Sequence, residues 1–570
     1  WMGKYFNKKR LWTSHSLTIS AATDKSAYKI AFNYKNEDSR YKNAGHDHFY
    51  LTADLSHKVL PFLKVGLSSR AYYIVKNDKP DMFNQFLHMS PLTQTRNEDG
   101  SYNVYPFGDP FVKNPYMNES DDVYKDKTEE WKLFLRFFAQ IDLAKGLTFN
   151  TNFAYSPAFS SRGYYYDNRS VSYTDERNVA FMHNNRKADW VWNNVLSYKR
   201  QFDRHNIDLT AVYEMQNRQT VSATMSGKDQ ESPAYLWYNM GRLTDSKSLS
   251  SGFVRSQMVS VVGRVQYSYD DRYIVTASFR EDGASQLSPG HKWAFSPTIS
   301  AAWVLSEEKW LKDVSWVNFL KLRASFGVIN VDYLPKDGST TIYDYWDQIY
   351  TTTGTQYKFN SSYDSEFGST IIGRLATANS THEKAYKYNV GVDAMLFNGL
   401  NVTAEGYYQR RKDIWVSSEG KYTDVLGVDA PFENAGIVDS YGMELGLNYT
   451  KRLGDVVFNL GGNFAWNKNE IKEQLEEPRL YKNLVQTGNR LGQVYGMVAE
   501  GFFKDKEDIA NSLTQNFTTV VPGDIKYKDV NGDGIIDAND KTAIGYSTTA
   551  PEIYYSFHLG AEWKGIGLDA

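Results

Sequence analysis

Side chains along this chain alternate between apolar and polar with a period of two, over segments of ten residues or more. In 456–466, Val456, Phe458, Leu460, Gly462, Phe464 and Trp466 share one face, and Val457, Asn459, Gly461, Asn463 and Ala465 share the other. In 400–409, Leu400, Val402, Ala404, Gly406 and Tyr408 oppose Asn401, Thr403, Glu405, Tyr407 and Gln409. In 133–143, Leu133, Leu135, Phe137, Ala139, Ile141 and Leu143 oppose Phe134, Arg136, Phe138, Gln140 and Asp142. Successive side chains of a strand point to opposite faces, so each segment has one apolar and one mostly wet surface. A tilted strand crosses a bilayer in about ten residues, which matches their length.

About 17 such segments are legible, near 14–22, 26–36, 48–55, 62–74, 131–143, 147–156, 187–199, 206–216, 257–269, 272–281, 292–304, 317–327, 386–397, 400–411, 438–450, 456–466 and 551–563. Short links at 23–25, 56–61, 144–146, 200–205, 270–271, 398–399 and 451–455 alternate with longer ones at 37–47, 75–130, 157–186, 217–256, 282–291, 328–385, 412–437 and 467–550. Only 305–316 is ambiguous in this scheme. A meander in which every second connection is short gathers the short turns at one end, as in a membrane barrel with short periplasmic turns and long extracellular loops. Asn398-Gly399 reads as a tight hairpin turn, since both residues tolerate positive φ. Tyr155, Tyr267, Tyr269, Tyr407, Tyr408, Tyr449 and Trp466 at strand ends fit an interfacial aromatic girdle, although Tyr is also a good strand former.

Composition agrees with that class. Aromatic residues make up 15% of the 570 residues while hydrophobic residues reach only 41%, a mixture suited to strands greasy on one side and wet on the other. No apolar run reaches the roughly 18 residues of a transmembrane helix. The net charge of −3 leaves no nucleic-acid footprint. Cysteine is absent, which excludes disulfide frameworks, thiolate metal sites and cysteine nucleophiles. The opening WMGKYFNKKRLW lacks the basic-then-apolar shape of a signal peptide. A soluble propeller or serial sandwich also gives many alternating strands, but no fixed period of about 40–50 residues is present.

Several strings resemble SusC/RagA-type TonB-dependent outer-membrane transporters of Bacteroidetes: GRVQYSYDDRYIVTASFREDGASQLSPGHKWAFSPTISAAWVLSEEKWL (263–311), LKLRASFGVIN (320–330), YNVGVDAMLFNGLNVTAEGYYQRRKDIW (388–415), PGDIKYKDVNGDGIIDANDKTAIG (522–545) and LTISAATDKSAYKIAFNY (17–34). The resemblance implies an all-β fold, a transmembrane antiparallel barrel of about 22 strands with long extracellular loops. It implies a multi-pass outer-membrane importer of oligosaccharides or peptides, without enzymatic activity, that works with TonB and a SusD-like surface lipoprotein. No plug, TonB box or signal peptide is found, and the chain ends at GIGLDA within an apparent strand. Residues 1–570 are therefore expected to be part of a barrel domain, lacking the plug, a first strand and the last strands, with TonB engaged through an absent N-terminal segment. Two other readings stay open: a plugless passive porin, and a soluble β-rich glycan-binding or hydrolytic protein.

The sharpest local motif is DVNGDGIIDAND in the long loop 467–550. Asp529, Asn531, Asp533, Ile535 (through its carbonyl), Asp537 and Asp540 occupy positions 1, 3, 5, 7, 9 and 12 of a calcium loop, with Gly534 at the sharp turn. Oxygen ligands select Ca²⁺ in a structural role, and the alternative is an Asp/Asn/Gly-rich turn that needs no ion. His46 and His48 form an H-x-H pair with no third ligand apparent in sequence, and they read as loop polar residues. Aromatic groups in the long connections are Tyr164–Tyr166, Tyr235/Trp237/Tyr238 and Tyr343/Tyr345/Trp346/Tyr350. Of these, Tyr235, Trp237, Tyr238, Tyr345 and Trp346 are candidates for substrate or lid contact, with packing of loop on loop as the plainer reading. The acidic pairs Asp121-Asp122, Glu129-Glu130 and Glu307-Glu308 suggest solvated loops, because adjacent carboxylates on an extended chain point apart and no catalytic motif accompanies them. Arg136, Arg264, Glu405 and Glu444 are expected to face the lumen.

Overall fold

The computed structural model describes residues 6–172, 177–332, 348–357, 367–422, 425, 427–545 and 551–570, with backbone alone over 348–357 and 367–374. The chain divides into two compact units, Trp1–Ser197 with Val212–Val259, and Tyr198–Ala211 with Ser260–Ala570. Every predicted segment lies in or overlaps a strand. These are β1 (Trp12–Ala22), β2 (Ser26–Asp38), β3 (Gly45–Leu60), β4 (Leu63–Asp78), β5 (Tyr124–Ala144), β6 (Leu147–Tyr166), β7 (Val179–Phe202), β8 (His205–Gln230), β9 (Leu243–Tyr269), β10 (Tyr273–Ala284), β11 (Trp293–Val304) and β12 (Val317–Val331). A hairpin of β13 (Gln348–Tyr357) and β14 (Phe367–Arg374) follows, then β15 (Glu383–Leu396), β16 (Leu400–Ser417), β17 (Phe432–Leu453) and β18 (Val456–Glu473). Short strands β19 (Tyr495–Gly496), β20 (Ala499–Phe502), β21 (Thr514–Gln515), β22 (Ile525–Tyr527), β23 (Ile535–Ile536) and β24 (Thr542–Ala543) fold the long loop, before β25 (Ile553–Trp563) and β26 (Ile566–Asp569). Two five-residue helices, α1 (Phe83–Leu87) and α2 (Lys506–Ala510), sit in loops.

In the first unit β1 to β6 pair antiparallel in chain order. Register aligns Leu17 with Phe32, Phe32 with Leu51, Leu67 with Phe137 and Phe137 with Phe153. Leu17, Ile19, Ile30, Phe32, Leu51, Leu55, Phe137 and Phe153 are all exposed. A contiguous apolar face of this extent is not left in water by a soluble protein. The opposite face carries Thr18, Lys29, Asn33, Thr52, Asp54, Ser68, Arg70, Arg136 and Asn152. Near the loop ends His15, Tyr34, Phe49, Tyr73 and Trp131 form a row across β1–β5, with ring centroids 4.1 to 6.3 Å apart. From Trp131 to Leu143 the outward band spans about 30 Å, taking twelve steps of ~3.3 Å tilted by ~40°. That is close to the height of a hydrocarbon core.

In the second unit β10–β11–β12–β15–β16–β17–β18–β25–β26 pair antiparallel in that order. Its outward face holds Val275, Phe279, Ile299, Leu322, Val390, Leu445, Leu447, Leu460 and Leu559, again exposed, and Val390 is 64% accessible. Trp303, Trp316, Phe397 and Trp563 mark the short-turn end.

Three features differ from the sequence expectation. Many strands run well past the apolar segment: β8 has 26 residues and β9 has 27, against expected 206–216 and 257–269. The extensions lie on the loop side, where both faces are wet, so no alternation signals them. His46 and His48 consequently belong to β3 rather than to a loop. The tight turn lies one residue upstream of the Asn-Gly pair: Phe397 and Asn398 both take φ of +54°. Gly399 is needed for a different reason, since a Cβ there would stand 2.3 Å from the Thr450 carbonyl oxygen.

Candidate functional site

The inner wall of the second unit is built by polar residues that alternate with the outward apolar ones. Arg323 on β12 is its hub. Its guanidinium lies 2.9 Å from Glu405 on β16 and 3.3 Å from Asp393 on β15, and donates to Asn389 Oδ1 at 3.1 Å. Lys321 reaches Asp393 at 3.1 Å, and Asn389 donates to Glu405 at 3.2 Å. Gly391 makes room for the guanidinium, because a Cβ there would stand 2.6 Å from Arg323 Cζ. Glu405 pairs directly across from Glu444, and both line a concavity of about 780 Å³ with Asn401, Thr403, Asn463 and His558. Arg136 lies 5.2 Å over the Phe138 ring on the inner side of β5, and Arg264 pairs with Gln266 on β9. Each of the four expected lumenal residues thus lies on the polar face of its own strand. Sequence reading missed Lys321, Arg323, Asn389 and Asp393. Their signal was their place on the polar register of LKLRASFGVIN and YNVGVDAML.

The loop aromatics divide by exposure. Trp237 is 4% exposed and packs with Tyr165, Ala180 and Leu243. Gly163 admits the indole, since a Cβ there would lie 2.1 Å from it. Tyr164 stacks on Phe181 at 4.6 Å. These residues hold loops together, whereas Tyr235 and Tyr238 are exposed. Tyr238 lines a charged cleft of about 730 Å³ with Asp78, Lys79, Asp121, Lys125 and Lys127. Tyr345 and Trp346, with Tyr343 and the side chain of Tyr350, lie outside the described residues. The acidic pairs are used in ion pairs: Asp121 with Lys125, Glu130 with Lys76 and Lys132, and Glu308 with Arg272.

In the 529–540 motif, Asp529 accepts the Gly532 and Gly534 N–H groups at 2.6 and 3.0 Å, and Asn531 accepts that of Asp533. Asp533 accepts the Ile535 N–H, which foremost holds its carboxyl below the usual range, and the Tyr481 hydroxyl at 3.0 Å. Asp537 accepts the Asn539 N–H. Asp540 is fully buried and accepts from Val530 and Asp537. Gly532 and Gly534 take φ of +78° and +84°. The donor set is all oxygen and the loop turns as the motif requires. Its carboxylates do not, however, converge as a group of three within 4.8 Å among the described residues. Earlier in the same loop Glu476 is a second node. Burial pushes its carboxyl up, but N–H groups of Gln486 and Thr487 at 2.8 and 2.9 Å and the Thr487 hydroxyl bring it down to about 2.

An antiparallel meander, apolar and exposed on one side, charged on the other, and ringed by aromatics, is the wall of a transmembrane β-barrel. Residues 77–549 match the family described as TonB dependent receptor-like, beta-barrel. The chain belongs to that family, and it is an outer-membrane protein that crosses with strands. It is 24% identical to TonB-dependent receptor P3 of Formosa agariphila over 97% of this chain and 56% of that protein. It is 27% identical to TonB-dependent receptor SusC of Bacteroides thetaiotaomicron over 50% of this chain and 28% of that protein. Among solved structures, the RagAB peptide importer in its open-open state superposes with a TM-score of 0.80 at 17% identity, covering 100% of this chain and 61% of that one. The chain thus spans about half the length of the curated relatives that it matches along its whole extent.

Proposed function

We propose that this chain forms barrel wall in an active outer-membrane importer of oligosaccharides or peptides, driven through TonB and covered by a SusD-like lipoprotein. The Arg323–Asp393–Glu405 network carries the reading. A cluster of acidic and basic groups on the inner face supports a polar solute path. The exposed Tyr235 and Tyr238 are offered to the solute or the lid, and the Trp237 ring lies 5.1 Å from that of Tyr238. Uptake of labelled oligosaccharide and peptide pools by cells carrying the full-length gene tests this. Uptake is expected to vanish when TonB is deleted and to fall when Arg323→Ala or Glu405→Gln is introduced. Uptake that persists without TonB, with steady conductance in planar bilayers, would indicate a passive pore instead.

We also propose that the 529–540 loop takes a structural Ca²⁺, on the support of its full twelve-residue spacing and its two left-handed glycines. The bound ion would supply rigidity and no chemistry. Tyr481, bonded to Asp533, is placed to sensitise terbium. Luminescence that saturates with one Tb³⁺ per chain and is reversed by Ca²⁺ is expected, whereas none above that of the Asp529→Ala variant refutes the site.

A further inference from the structure

The H-x-H pair lacks a third ligand in sequence, and β-sheet register supplies it. Glu37 on β2 stands directly opposite His46 on β3. On β3, His46 and His48 are two residues apart and share the inner face, and their rings lie 6.2 Å apart. Glu37, His46 and His48 are the one group of three His, Asp or Glu residues, among those described, whose ligand atoms all lie within 4.8 Å of one another. Outside that group, Asp78 at the end of β4 is hydrogen-bonded to His46 Nε2 at 3.1 Å, which leaves His46 Nδ1 to face an ion.

The geometry of His48 points to an ion. Its Nε2 is buried and has no hydrogen-bond partner, an arrangement native structures rarely keep. The nearest carboxylate oxygen, Glu37 Oε2, is 3.7 Å away. That is too long for a hydrogen bond. It is close to the ~3.3 Å ligand-to-ligand edge of a tetrahedron with bonds of ~2.0–2.1 Å. The outer groups fix both ligands in place. His48 Nδ1 meets the Tyr50 hydroxyl at 3.1 Å, so with the proton on Nδ1 the Nε2 lone pair faces the site. Glu37 Oε1 is held by Trp12 Nε1 at 3.1 Å and by Lys35, which leaves Oε2 turned towards His48. The other nearby cation, Lys76, is committed to Glu130 at 2.7 Å.

We propose that Glu37, His46 and His48 bind a divalent transition-metal ion of the zinc class on the inner wall of the first unit, with Asp78 as the outer partner that orients His46. Two imidazoles and a carboxylate suit Zn²⁺ better than Ca²⁺, which takes oxygen alone. Three protein ligands leave a fourth position for water, and the ion is a staple across β2 and β3 at their loop ends. Asp78 also lines the charged cleft described above.

The test uses the full chain folded in detergent, stripped of metal, titrated with Zn²⁺ against a chromophoric chelator and loaded in parallel with Co²⁺. One Zn²⁺ per chain is expected, with a visible tetrahedral Co²⁺ band. His46→Ala and His48→Ala should each weaken binding at least about 10-fold, and Glu37→Gln should weaken it less. His15→Ala, on the outward face of β1, should leave it unchanged. Heat-modifiable migration on gels verifies that each variant has folded. Folded His46→Ala and His48→Ala proteins with wild-type affinity overturn the proposal. If those variants do not fold, a wild-type chain that binds no Zn²⁺ or shows no tetrahedral Co²⁺ band overturns it equally.

Discussion

At the scale of single residues, small structural details decide which side chains are free to act. Trp237 is among the most conspicuous loop aromatics in sequence, yet it is spent on packing beneath Gly163 and Tyr165. Trp237→Ala should destabilise the loop hairpin by about 3–5 kcal/mol. Limited proteolysis within 231–242 reads this as faster cleavage, and unchanged cleavage contradicts the packing role. Glu476 makes a pH-dependent contribution. Its folded pKa, about 2, lies below the ordinary 4.5, so its stabilisation is complete above about pH 4.5 and is lost as pH falls towards 2. Amide exchange at Gln486 and Thr487 should therefore accelerate as pH falls through that window, relative to the intrinsic rate. In Glu476→Gln it should already be fast at neutral pH.

At the scale of elements, the strand face is the unit of meaning. Val390 points outward and Thr403 inward, on neighbouring strands. Val390→Arg places a charge in hydrocarbon and should cost about 2–4 kcal/mol. Thr403→Arg stands opposite Asp393 and should change stability by less than about 1 kcal/mol. Urea titration in lipid vesicles measures both, and equal costs would contradict the assigned faces. The same contrast explains what sequence conveyed. Strands were legible wherever one face met lipid, because lipid enforces alternation. The loop-side extensions of β8 and β9 were not, because water on both faces enforces nothing. The candidate sites follow this rule too. Positions 529–540 are contiguous and showed their spacing openly. Glu37 joins His46 and His48 only through a register that no local pattern reports. Gly399 carried the right residue type for a turn, but Thr450 on the next strand sets its requirement.

At the scale of the whole molecule, the two units repeat one plan: apolar skin outward, charged wall inward, aromatic rows at the ends. Membership of the TonB-dependent receptor-like β-barrel family fits that plan, and the proposed import activity depends on it. Every functional statement requires that the exposed apolar face meets lipid. Spin labels placed one at a time from Tyr388 to Ala394, in protein reconstituted into bilayers, test this most directly. Collision rates with dissolved oxygen should peak at 388, 390, 392 and 394, and those with a polar nickel reagent at 389, 391 and 393. A nickel reagent that reached 388, 390, 392 and 394 as readily as their neighbours would contradict the account.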